Sequence, residues 1–260
     1  QAYCTRVPVV VICRLLGVPE DMAEDLLRWS SAMVSMYQAR RTREIEDAAM
    51  QASDEFRTFM ISYIEERRSR PGDDLITSLI AAEEGGEKLS TDELIATCIL
   101  LLNAGHEATV HSLGIAVKTL LEQGTDPAYL APDRIDSTVE ECLRYDPPLH
   151  MFTRYAYEQV ELAGHHFQRG DQVALLLGAA NRDPGKWQDP EQFIPDRPVA
   201  TNLAFGSGVH FCVGAPLARL EMKIALPILF DRLPNLALNG APAYDDVYHF
   251  HGLTRLQVRY

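Results

Sequence analysis

Residues 205–221 read FGSGVHFCVGAPLARLE. One cysteine, Cys212, stands among three glycines, Gly206, Gly208 and Gly214, with His210 two residues before it. Glycine tolerates positive φ and lets backbone approach a ligand closely, so the loop reads as shaped against something bulky and flat. A helix beginning near Pro216 would aim its positive end and spare amides at the sulfur, which favours thiolate. Such a sulfur suits the axial position of a haem iron, and His210 could then reach the acidic edge of that group. The plain alternative is a buried cysteine in a glycine-rich turn, since free cysteines are among the most buried residue types. On composition alone that alternative is the commoner one.

The rest of the chain bounds what the loop can serve. At 260 residues and 47% hydrophobic, it can bury one sizeable core. A net charge of −13 without a strong Lys/Arg cluster argues against a phosphate-binding face, and so against nucleic acid. The five cysteines, Cys4, Cys13, Cys98, Cys142 and Cys212, are odd in number and form no CxxC pair. That speaks against a disulfide framework or a cysteine zinc site and for a reducing, cytoplasmic setting. The longest apolar runs, VPVVVI (7–12) and CILLL (98–102), are too short to span a bilayer, so no membrane association is expected. The chain opens mid-element on QAYCTRVPVVVICRLLGVPE (1–20), without methionine or signal peptide, and is expected to be part of a longer one.

Apolar residues three and four apart, with charge between them, predict helices over 19–37, 45–68 and 72–84, the last closed by Gly85-Gly86. Ser90 and Glu93 form a capping box ahead of a helical segment of more than thirty residues that Gly124 ends. Its middle is apolar nearly all round and should run through the core. A further helix over 133–146 stops at Pro147-Pro148. Beyond it, 153–183 predicts short strands turned at Ala163-Gly164 and Arg169-Gly170, and 182–198 a proline-rich meander. A last helix over 215–234 leads to a hairpin-like tail, 248–260. The expected fold is mainly α with a small β portion, in a single domain over 1–260.

The loop and the helix after it resemble the haem-binding segment of the cytochrome P-450 family, the haem-thiolate monooxygenases. The matching positions are Phe205, Gly206, Gly208, His210, Cys212, Gly214, Leu217, Ala218 and Arg219. The resemblance implies that family's fold, N-terminally incomplete, around haem b. Cys212 would be the thiolate ligand to iron, with Phe205 beside the sulfur. His210 and Arg154, in HMFTRYA, would meet the propionates, and Gly206, Gly214 and Ala104 would lie against the cofactor. Glu141 and Arg144 share one helix face and alone read as an exposed pair worth little. The family joins such a pair to an arginine of the meander, here Arg197 in FIPDRP. The implied role is structural, bracing the meander beneath the loop, and guanidinium forks suit it better than lysine.

One stretch, LLNAGHEATVHSL (101–113), departs from the family pattern. Gly105 inside a helix costs about 1 kcal/mol relative to Ala and so implies a distortion or a close ligand approach. Glu107 is costly to bury charged unless paired or protonated; a plainer reading makes it an i, i+4 pair with His111. The resemblance sets this stretch on the oxygen side of haem, with Ala104, Gly105, His106 and Glu107 in pattern. Ala108, however, stands where relatives usually carry threonine, and Thr109 comes one residue late, about 100° further round. Glu107 would be the proton relay. A water chain from it, or a hydroxyl of the substrate, would replace the usual alcohol.

The implied reaction takes two electrons from a donor protein of ferredoxin type and inserts one oxygen atom of O2 into a hydrophobic small molecule. Implied substrate contacts are Leu101, Ala104, Met151, Phe152 and Phe250; plain core packing accounts for Met151, Phe152 and Phe250 equally well. Two rivals are a haem-binding remnant without turnover and a helical protein without cofactor.

Overall fold

The computed structural model describes residues 2–38, 40–84, 89–245 and 250–260. The chain forms two compact units, residues 1–113 and 114–260.

The first unit is helical: α1 (Ala2–Leu16), α2 (Ala23–Val34), α3 (Arg43–Ser69), α4 (Leu75–Glu84) and the first two-thirds of α5 (Thr91–Glu122). α1 forms in spite of Pro8 and a β-branched run. Its Val9, Ile12, Cys13 and Leu16 recur at helical spacing and are all buried, so packing of one face outweighs weak local propensity. Thr42 caps α3 by accepting from the Ile45 amide at 3.5 Å, and Asp74 Oδ1 accepts from the Thr77 amide at 2.7 Å ahead of α4. The stretch expected as one helix over 19–37 is broken, because 3-10 turns at Glu20–Met22 and Ser35–Tyr37 flank α2. The stop expected at Gly85-Gly86 lies outside the described residues.

Helix α5 runs unbroken for 32 residues. The capping box forms as its spacing predicts: the Glu93 amide donates to Ser90 Oγ at 3.3 Å, and the Ser90 amide donates to Glu93 Oε2 at 2.8 Å. At the other end Gly124 takes φ +57° and the Thr125 amide returns to the Leu120 carbonyl at 3.0 Å. Gly105 marks no distortion. A Cβ added there would stand 2.5 Å from Ile12 Cδ1, so the glycine lets α1 pack close against α5.

The second unit holds the end of α5, α6 (Ile135–Tyr145), β1 (Met151–Tyr155), β2 (Val160–Leu162), β3 (His165–Phe167) and β4 (Gln172–Leu176). After these come α7 (Leu177–Ala180), α8 (Ala215–Arg232), β5 (Ala237–Leu238), β6 (Ala243–Tyr244), β7 (Leu253–Arg255) and β8 (Val258–Arg259). β2 and β3 pair Val160 with Phe167 and turn through Ala163 and Gly164, both at positive φ, as a tight two-residue hairpin requires. β1 and β4 flank that hairpin and pair antiparallel, from Met151 opposite Leu176 to Tyr155 opposite Gln172. Two expectations are corrected. Residues 177–180, read as strand, form the helical turn α7. The tail is no hairpin: β7 pairs with β6 and β8 with β5, while Tyr248 and His249 lie outside the described residues.

Candidate functional site

The loop 205–214 is built by its glycines and by hydrogen bonds from the segments around it. Gly206 and Gly208 take φ +71° and +68°, a region L side chains avoid. The Cys212 amide donates to the Phe205 carbonyl at 3.0 Å, and the Gly206 amide to the Leu203 carbonyl at 3.0 Å. Helix α8 starts three residues beyond the sulfur, with Gly214 at its N-cap and no side-chain cap. A Cβ on Gly214 would meet Cys212 Sγ at 3.8 Å.

Cys212 stands apart from the other cysteines. Burial pushes the Cys13 thiol up to about 11 and Cys98 to about 12, and raises Cys4 and Cys142 as well; such thiols are inert. Cys212 alone is exposed. Around it Val209, Phe211 and Val213 are exposed too, Val209 at 96% and Val213 at 90%. Apolar side chains left open beside a thiol fit a flat apolar macrocycle with a metal ligated by sulfur. A cysteine of the core would not. The residues present therefore fit haem, and His210, exposed in the same loop, offers a donor for an acidic edge.

The structure brings Glu141, Arg144 and Arg197 together. Arg144 is 1% exposed, yet every guanidinium N–H has an acceptor. Nε and Nη2 donate to Glu141 Oε2 and Oε1 at 2.7 and 2.8 Å. Nη1 donates to the carbonyls of Asn181 and Pro190, both at 2.9 Å, and Nη2 to that of Gln192 at 3.0 Å. Arg197 Nε adds a bond to Glu141 Oε2 at 3.0 Å, and the Ile194 amide one to Oε1 at 2.8 Å. A meander with no regular ladder thus has carbonyls satisfied by Arg144 of α6 and by its own Arg197, and the Ile194 amide by Glu141.

A second set of braces was not read from the sequence. Glu140 accepts from Arg219 Nε and, at 3.0 Å, from Arg219 Nη2 and Asn202 Nδ2. Asn202 Oδ1 accepts from the Ala204 amide at 3.0 Å, and Asn181 Oδ1 from the Leu203 amide at 2.6 Å. The Arg219 guanidinium lies 4.5 Å over the Phe205 ring. Only one signal pointed here: Arg219 sits within the loop-and-helix motif with no partner assigned. Glu140 and Arg219 are 79 residues apart, beyond the reach of any spacing rule.

The α5 stretch belongs to the first unit. Glu107 Oε1 accepts from Ser31 Oγ of α2 at 2.9 Å. His111 Nε2 lies 3.7 Å from Oε2, and His106 Nε2 3.7 Å from Oε1. The i, i+4 pair is therefore present, on a mostly buried face rather than a wet one. His106 is buried with Nδ1 3.1 Å from the Leu102 carbonyl. Thr109 is buried, Ala108 partly so, and Ala104 exposed one turn from exposed Leu100. Ala104 and Ala108, four apart, therefore share the more open face, and Thr109 turns away from it.

Among the other expected residues, Arg154 is exposed on β1 and its Nη1 donates to the Thr153 carbonyl at 2.9 Å. Met151 and Phe152 are partly buried at the start of that strand, Leu101 is partly buried on α5, and Phe250 is buried.

The family model for cytochrome P450 matches residues 135–234. The chain is 40% identical to 6-deoxyerythronolide B hydroxylase of Saccharopolyspora erythraea, covering 99% of this chain and 64% of that protein. It is 38% identical to the polyketide biosynthesis cytochrome P450 PksS of Bacillus subtilis, covering 95% of this chain and 60% of that one. Among solved structures it resembles P450BioI in complex with an acyl carrier protein ligated to hexadec-9Z-enoic acid. The TM-score is 0.92 at 36% identity, over 99% of this chain and 67% of that one. The chain spans less than two thirds of the length of these two curated relatives.

Proposed function

The chain belongs to the cytochrome P450 family, and on that premise we propose that it is the larger part of a haem-thiolate monooxygenase. Members of the family bind haem b through a cysteine thiolate and use O2 as co-substrate. The proposed reaction inserts one oxygen atom into a hydrophobic small molecule with electrons from a donor protein of ferredoxin type, in the cytoplasm. No described helix is long and apolar enough to cross a membrane.

In this reading Cys212 would hold the iron through its sulfur, and His210 and Arg154 would hold the propionates. Bound haem supplies the activation of O2, which sulfur ligation favours. The chain's own residues hold, orient and deliver protons. Glu107 is assigned as the relay, held by Ser31 Oγ, which donates to its Oε1 at 2.9 Å, with the His111 imidazole 3.7 Å from Oε2. With Ala108 lacking a hydroxyl, the last donor is water or the substrate itself. Leu101, Ala104, Met151, Phe152 and Phe250 are assigned to the substrate, an apolar set that selects an apolar molecule. One relative is named as a hydroxylase of 6-deoxyerythronolide B, and the P450BioI structure carries hexadec-9Z-enoic acid, a long hydrocarbon chain of that apolar kind.

The observation that carries the reading is the exposed thiol of Cys212 in its glycine loop among exposed apolar side chains. Reduced, carbon-monoxide-treated protein is expected to show the strongly red-shifted Soret band of thiolate ligation, and Cys212→Ser to lose it. An unshifted band in the parent, or a shifted one surviving in the variant, overturns the assignment. Oxygen insertion supported by a ferredoxin-type donor then separates a working enzyme from one that only binds haem.

A further inference from the structure

We propose that Asp146, His150 and His251 form a binding site for a divalent transition-metal ion of the zinc class. The three come from separate places in the second unit: the end of α6, the approach to β1 and the C-terminal tail. Their ligand atoms lie within 4.8 Å of one another. His150 Nε2 is 3.6 Å and His251 Nε2 3.4 Å from the same oxygen, Asp146 Oδ1. A tetrahedral ion with ligands at about 2.0–2.1 Å needs edges of about 3.3 Å between donor atoms. Two imidazole nitrogens and one carboxylate oxygen are donors that zinc accepts, with a fourth position left for water.

The neighbours hold the donors in place. Lys118 Nζ donates to Asp146 Oδ2 at 2.8 Å and to Tyr244 Oη at 2.6 Å, and Tyr244 Oη donates to Oδ2 at 3.2 Å. With Oδ2 engaged, Oδ1 is the oxygen turned to both imidazoles, a bracing of the kind that orients metal ligands. The rings of His150 and His251 stack at 4.1 Å, and Tyr244 stacks on His251 at 4.2 Å. Binding requires the stacked rings to tilt until both nitrogens converge, and His150, 45% exposed at its side chain, has room to do so. The His251 amide already donates to the Pro148 carbonyl at 2.8 Å, so the tail and the approach to β1 are joined before any ion arrives. An ion there would clamp the start of β1 to the tail.

The test is calorimetric titration of zinc chloride into the full chain after chelator treatment and desalting, with thermal unfolding measured in parallel. One equivalent is expected to bind at pH 7.5 and raise the melting temperature, and EDTA to reverse the rise. Affinity should fall at pH 5.5, where protons compete for the imidazoles. His150→Gln and His251→Gln are each expected to weaken binding at least about tenfold. His166→Gln, in the exposed His166–Glu161 pair on the β2–β3 hairpin, should leave it unchanged. No binding at 100-fold excess zinc overturns the proposal. So does undiminished binding in the His150→Gln/His251→Gln double variant, or loss of binding in His166→Gln.

Discussion

Replacing Arg144 with lysine keeps the positive charge and removes the fork. The guanidinium makes two bonds to Glu141 and one each to the carbonyls of Asn181, Pro190 and Gln192. A lysine ammonium has three N–H groups on one atom and cannot serve both the carboxylate and three carbonyls spread over residues 181–192. Gln192 keeps a bond from Arg197 Nη2 at 3.2 Å, so the buried carbonyls that depend on Arg144 alone are those of Asn181 and Pro190. Each such group costs about 1–3 kcal/mol. Glu141 itself keeps the Arg197 and Ile194 bonds, so the larger penalty of an orphaned buried charge is avoided. The expected loss is therefore about 3–4 kcal/mol. Guanidinium chloride unfolding followed by far-UV circular dichroism measures it, provided the slope with denaturant is unchanged. Amide exchange across 181–197 should quicken in the same variant. A loss below about 1 kcal/mol, with exchange unaltered, would refute the claim that Arg144 is needed to satisfy the carbonyls of Asn181 and Pro190.

Three further outcomes are expected. Burial alone pushes the Glu221 carboxyl from 4.5 up to about 7, and its Oε2 has no hydrogen-bond partner. Because the folded value lies above the unfolded one, stability is full below pH 4.5 and falls as pH rises through 7, by up to about 3 kcal/mol. Glu221→Gln should then gain about 2–3 kcal/mol over the parent at pH 8 and little at pH 4.5 in urea unfolding; parallel pH profiles would count against it. Gly105→Ala gains about 1 kcal/mol of helix propensity but forces a methyl onto Ile12, at about 1–3 kcal/mol. A small net loss is expected, relieved by adding Ile12→Val, and a stabilised single variant would mean that α1 yields freely. Ala108→Thr restores the alcohol at the usual position and should change the fraction of electrons lost as peroxide; unchanged coupling would show that protons arrive by another route.

Local rules reached much of this molecule and stopped where contacts became long-range. The α5 capping box, its glycine stop and the Ala163-Gly164 turn were legible because the atoms involved are within a few residues of one another. α1 was not, because a β-branched run with a proline becomes helical only when Val9, Ile12 and Leu16 find a core. The tail's strands pair with β5 and β6 and not with each other, a choice made by residues that no window around the tail includes. Gly105 was read as a distortion or a close ligand approach, and what approaches is instead the side chain of Ile12, 93 positions earlier. The Cys212 loop and the Glu141–Arg144 spacing were visible as motifs. Glu140, Asn181 and Asn202, which brace that loop, carry no local pattern. Neither does the Asp146–His150–His251 cluster, whose third member lies 101 residues beyond the second.

The braces also predict how damage at Arg144 should travel. Arg144 Nη1 donates to the Asn181 carbonyl, Asn181 Oδ1 accepts from the Leu203 amide, and the Leu203 carbonyl accepts from the Gly206 amide. Four residues thus link a buried helix face to the first glycine of the thiol loop. The Leu203–Gly206 bond sets the entry to a turn whose two positive-φ glycines precede Cys212, so a shift at Asn181 reaches the sulfur through backbone and not through packing. Arg144→Lys should therefore weaken thiolate ligation as well as stability, seen as a smaller share of red-shifted Soret absorbance in protein that is still folded. Asn181→Asp separates the two effects. It leaves the backbone carbonyl for Arg144 and an acceptor for Leu203, and should spare the band while lowering the melting temperature, because it puts a carboxylate at a fully buried position. Asn181→Leu removes only the acceptor, and should disturb the Soret band more than the melting temperature. If Asn181→Leu left the band intact while Arg144→Lys abolished it, the link would run through another path.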